Sequence, residues 1–98
     1  MTLAVVVTRD VEARYRGFLG SVMLEVAPTV YVHPNLSAGV RERIWAVLEE
    51  WHATLRRGAI VLVWHDPKEL GGLGIRVLGL SPRALQEIDG LFVVKREL

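Results

Sequence analysis

Cysteine is absent from all 98 residues, which excludes a disulfide framework and thiolate metal sites and fits a reducing compartment. Long apolar runs are missing too: nothing approaches the roughly 18 consecutive apolar residues of a membrane span, and no basic leader feeds an apolar segment at the N-terminus. The expectation is a cytoplasmic protein with no membrane partner. An excess of one charge is also lacking, with 12 basic against 11 acidic residues and a net charge of +1. Bulk charge therefore gives no sign of a polyanion partner, and any nucleic-acid contact must come from local sorting. The chain has no internal repeat and no low-complexity tract. His33, His52 and His65 show no metal-ligand spacing, and the GGLG at 71–74 lacks the strand-to-helix setting and the Lys-Ser/Thr of a phosphate-binding loop.

What is present is apolar character, at 51% of residues. A chain of this length makes one domain with a modest two-layer core. So high an apolar content leaves apolar area wet on a lone sphere, which points to self-association. Ten of the twelve basic residues are arginine; this suits bidentate phosphate contacts, and arginine-favouring codon usage explains it equally well.

Leu3 to Thr8 is a short valine-rich run, expected as a central strand buried on both faces. Val11 to Val26 reads two ways: one long helix, or a short helix to about Leu19 followed by a hairpin of Ser21–Val26 and Thr29–Val32. Gly17 and Gly20, each costing about 1 kcal/mol inside a helix, favour the hairpin. His33-Pro34-Asn35 is expected to break the strand, and Ser37 to cap a helix whose Val40, Ile44, Val47, Leu48, Trp51 and Leu55 recur on one face. Trp45 falls off that stripe, which suggests an interface or cover by the C-terminal tail. Arg56-Arg57 suit the helix dipole and Gly58 closes the helix. A strand over Ala59–Trp64, a loop over Asp66–Gly74 and a strand near Ile75–Leu80 follow. The order is that of an α+β, ferredoxin-like βαββαβ fold with an added C-terminal strand segment. Residues 1–80 form the core and 81–98, with the apolar run Leu91–Val94, an extension.

Such a fold fixes no function, so the crowding of one acid and three arginines after the first strand carries the question. Asp10 is more often a helix cap than a catalyst, and a single carboxylate makes a weak magnesium site unless a twofold axis supplies another. Arg14 and Arg16 stand about 200° apart around a helix, leaving Tyr15 free to pack inward between them. They are placed either for phosphate contacts or for weak surface salt bridges to Glu12 or Asp10.

The segments VVVTRDVEARYRGFL, LEV, VYV, SAGVRERIW, LSPR and IDGL, in this order and spacing, resemble the small adaptation subunit of CRISPR systems, the Cas2 family, in its type I-E subfamily. The resemblance covers nearly the whole chain. It implies a ferredoxin-like homodimer that lies between two dimers of the CRISPR integrase and holds the double-stranded DNA of a new spacer. Arg14 and Arg16 match the family's duplex-contacting RxR, and Arg41 and Arg83 match further basic contacts. Pro82 and Gly39 stand where relatives can carry additional basic residues. Leu91, Phe92, Val93 and Val94 resemble the segment that pairs with a neighbouring subunit and docks on the integrase by strand addition; from sequence alone a strand on its own sheet is an equal reading. The wider family includes magnesium-dependent endonucleases with an acid at the end of the first strand. Asp10 fits that catalytic and metal-binding role in one register, and Arg9 falls there if the register shifts by one.

Overall fold

The computed structural model describes residues 1–79, 84–88 and 91–95. It follows the order β1 (Thr2–Arg9), α1 (Ala13–Val22), β2 (Leu24–Ala27), β3 (Val30–Leu36), α2 (Ala38–Thr54), β4 (Ala59–His65), β5 (Leu73–Leu78), β6 (Ala84–Ile88) and β7 (Leu91–Lys95), with a 3-10 turn at Leu70–Gly72 before β5. Five strands make one antiparallel sheet in the order β2-β3-β1-β4-β5, while β6 and β7 pair in a separate two-stranded sheet. A sheet of this order with two helices is the α+β, ferredoxin-like arrangement.

The valine run of β1 is buried on one face only. Ala4, Val6 and Thr8 are covered, whereas Leu3 and Val7 are 51% and 40% exposed. The covered face meets α1 and α2 in one core that includes Tyr15, Leu19, Tyr31, Ile44, Leu48, Ile60, Leu62 and Trp64. The cross-strand register puts Val5 beside Val32 and Val63, and Val7 beside Val30 and Val61. In turn Val61 pairs with Val77 and Val63 with Ile75. The second sheet face is thus aliphatic from edge to edge.

Both readings of residues 11–26 hold in part. The hairpin forms, but α1 runs through Gly17 and Gly20 to Val22. Each glycine is exposed with open space around it, so the helix loses propensity there without losing packing. Burial of Tyr15 and Leu19, at roughly 1.5–3 kcal/mol for a large apolar side chain, offsets that cost. Pro34 does not end the strand as expected: β3 continues to Leu36. The pairs Thr2↔Leu36 and Ala4↔His33 place one extra residue on β3, a bulge in which a missing N–H is tolerated. Ser37 caps α2, its hydroxyl accepting from the Val40 N–H at 3.3 Å. Trp45, expected at an interface, is 5% exposed and belongs to the core, while Leu55 is 48% exposed. Strand β5 begins two residues earlier than expected, at Leu73, and Gly74 admits the Trp64 ring where any Cβ would collide with it.

Candidate nucleic-acid interface

Strand β1 delivers the chain to one end of the sheet at Arg9, and Asp10 turns it with a φ of 56°. Asp10 is not the helix cap. That position belongs to Glu12, whose side chain makes no capping bond. The Asp10 carboxylate instead lies 3.5 Å from the Arg57 guanidinium and is 77% exposed. It is a lone carboxylate with Arg9 and Arg57 for neighbours, a cationic setting that opposes a divalent ion. Among the described residues no three His, Asp or Glu side chains gather closely enough to hold a metal ion. Among the described residues of one chain, Asp10 therefore offers a cation a single carboxylate.

One turn on, Tyr15 packs inward and its neighbours face out. Burial pushes the Tyr15 hydroxyl above its ordinary pKa, partly countered by the charge of Arg14. The Arg14 guanidinium lies 4.6 Å from the Trp51 ring centroid and 3.5 Å from the Glu12 carboxylate, with 43% of its side chain exposed. Arg16 is 75% exposed and sits 3.2 Å from Glu25. Each arginine thus has one partly buried acidic partner: Glu12 and Glu25 are 29% and 27% exposed, and the Glu12 Oε1 that faces Arg14 is buried with no hydrogen bond. The guanidinium edges of Arg14 and Arg16 that face water can take a phosphate beside these carboxylates, and stacking on Trp51 holds the Arg14 plane for it.

Arg41 is placed differently. It lies in the first turn of α2, and Leu36, just before that helix, pairs with Thr2 at the start of β1. Arg14 follows the other end of β1, so the structure separates Arg41 from the RxR pair by the length of the sheet. Only 12% of the Arg41 side chain is exposed. Its guanidinium lies 4.2 Å from the Trp64 centroid, and its buried Nε has no hydrogen-bond partner. Arg76 approaches the same ring at 5.7 Å and pairs with Glu42. Nearby, the Asp66 carboxylate is held below the usual carboxylate range, first by the Lys68 backbone N–H that donates to it and then by the Trp64 indole N–H, with partial burial acting the other way.

Arg83 lies outside the described residues. Leu91, Phe92, Val93 and Val94 are on β7, paired with Ile88, Glu87, Gln86 and Leu85 of β6. The pairing partner of this strand in the chain is thus β6 rather than the main sheet. The three histidines stay apart: His33 accepts from the Asn35 N–H at 3.1 Å, His65 ends β4 exposed, and His52 Nε2 lies 3.3 Å from the Gly58 carbonyl. Arg9, Arg56 and Arg57 were legible only as a helix-dipole feature and an alternative register. The sequence signal for their meeting is Gly58, whose φ of 80° and contact with the Arg9 and Asp10 carbonyls leave no room for a side chain.

No helix among the described residues is long and apolar enough to cross a membrane. The family model described as CRISPR-associated protein (Cas_Cas2CT1978) matches residues 3–93, which takes in the five-stranded sheet except Thr2, both helices, and Arg14 and Arg16. The chain therefore belongs to the Cas2 family of CRISPR-associated proteins.

Proposed function

We propose that this protein is a type I-E-like scaffold for CRISPR spacer acquisition: a cytoplasmic homodimer that binds the spacer duplex and bridges two dimers of the CRISPR integrase. The observation that carries the DNA-binding part is the pair Arg14 and Arg16, whose side chains are 43% and 75% exposed, each with a single carboxylate partner. Contacts of this kind grip a duplex by its phosphates and are indifferent to sequence. The homodimer is supported by the aliphatic sheet face opposite the helices, where Leu24 and Val26 are 67% and 55% exposed and Val7 and Val77 more than a third. Monomers rarely leave so continuous an apolar face in water, and a second copy offers the same face in return. Sedimentation at a mass of one chain at micromolar concentration would contradict it. The extension 81–98, through Leu91–Val94, is assigned to subunit and integrase docking, and loss of integrase co-purification on deleting it is the corresponding test.

Replacing Arg14 and Arg16 by alanine tests the central reading. Duplex affinity should fall alike for unrelated sequences, and the slope of log affinity against log salt should weaken by about two, since each lost phosphate contact removes about 0.9. Parent-like binding would remove the proposed surface.

A second reading, a magnesium-dependent endonuclease, is favoured by one observation: Asp10 is exposed at the end of β1, where a second copy could bring its own carboxylate. Asp10→Asn should then abolish magnesium-dependent cleavage of RNA or DNA with folding intact. Equal cleavage by parent and variant would end this reading.

A further inference from the structure

Arg56 follows the C-cap of α2, and Arg9 ends β1. The last rung between β1 and β4 pairs Arg9 with Ala59, and the preceding residue, Gly58, sits where a Cβ would collide with the Arg9 and Asp10 carbonyls. This turn brings the two arginines to one open pocket of about 570 Å³, lined also by Asp10, His52, Gly58 and Gly79. His52 Nε2 lies 3.3 Å from the Gly58 carbonyl, tying the last turn of α2 to the pocket floor.

The charges in this pocket are unbalanced. Five of the nine lysines and arginines in residues 1–79 have a carboxylate within 4.0 Å: Arg14, Arg16, Arg41, Arg57 and Arg76. Arg9, Arg43, Arg56 and Lys68 have none among the described residues, and two of these four line this one pocket. Its single acid, Asp10, is matched by Arg57. A favourable helix dipole accounts for Arg56 but not for Arg9, which belongs to a strand.

We infer that Arg9 and Arg56 form a second anion site, for the phosphodiester backbone of a nucleic acid. The choice of a nucleic acid rests on the function proposed above and on continuity. Arg14 stacks on Trp51, the residue before His52, and His52 in the last turn of α2 lines the same pocket as Arg56, just past the C-cap. One backbone can therefore run from Arg14 over the last turn of α2 to Arg56 and Arg9. The new pair has no ion pair to give up, unlike Arg14 and Arg16.

The test is duplex binding between 50 and 200 mM salt for Arg9→Ala with Arg56→Ala, made in the parent and beside the Arg14→Ala, Arg16→Ala variant. The salt slope should weaken by about two, so that the ratio of affinities at the two salt concentrations shrinks roughly tenfold. Arg9→Lys with Arg56→Lys should keep the slope, and the variants of Arg9 and Arg56 the parent's unfolding midpoint. A parent-like slope for the alanine pair, with the Arg14 and Arg16 variant weakened, overturns the inference and spares the proposed function. The reverse pattern upholds this site and removes the RxR surface, and no effect from either pair removes both. An equal slope change with poly-glutamate in place of DNA would mark a site for acidic peptides and also overturn the inference.

Discussion

The two ends of the helical layer use the same residue type for opposite purposes. At the start of α1, Arg14 and Arg16 reach solvent, each beside one partly buried carboxylate. At the start of α2, Arg41 is folded over Trp64, with Arg76 near the same ring and tied to Glu42. Both ends contain an arginine over a tryptophan, so stacking alone does not separate them. Exposure does: 43% for Arg14 against 12% for Arg41. A guanidinium that keeps its face on a ring and its edge in water is set for a phosphate, whereas one covered on most sides has become part of the packing. To touch a duplex Arg41 would have to leave Trp64.

The contrast can be broken most forcefully at the ring itself. Trp64→Ala removes a core side chain and the platform for two arginines, and should lower unfolding stability by about 3–5 kcal/mol, read from denaturant midpoints, while the folded fraction keeps its duplex affinity. Arg41→Ala should cost about 1 kcal/mol by the same measurement, in the range of a cation stacked on an aromatic ring, and change the salt slope by less than one contact's worth. The smallest effect concerns Asp66. Its carboxyl titrates below the usual range in the folded chain, so its contribution is present above the unfolded-state pKa, near 4, and lost as pH falls through the lower folded value. Asp66→Asn should flatten that part of the acid stability profile and leave neutral-pH binding unchanged; an undiminished acid limb would discount the Lys68 and Trp64 hydrogen bonds.

Local signals in the chain were strong where one residue decides one feature. Ser37 caps α2 as its position promised, and the alternation of β1 emerges once each valine is assigned a face. Features that depend on residues far apart in sequence were hidden. Pro34 reads as a stop until the bulge opposite Thr2 and Ala4 is known. Trp45 reads as surface on a single-stripe helix, yet the core reaches it. Glycines 17 and 20 count against a helix by propensity, but tertiary burial of Tyr15 and Leu19 outweighs them. The candidate interface divides in the same way. Placement of Arg14 and Arg16 around an inward Tyr15 follows from helical geometry, and the pairing of Arg14 with Glu12 was among the weighed options. The burial of Arg41 on Trp64, 23 positions later by the numbering, and the meeting of Arg9 with Arg56 require the sheet to be assembled first.

The most direct test of the central claim compares Arg14→Ala with Arg16→Ala against Arg41→Ala, following unfolding midpoint and the salt dependence of duplex binding in each. The first should bind with a slope weaker by about two, with a loss of stability of no more than about 1 kcal/mol from the Arg14 stack on Trp51; the second should bind with nearly the parent's slope. If Arg41→Ala weakens the slope while the double variant leaves it untouched, the duplex lies at the other end of the helical layer and the account is wrong.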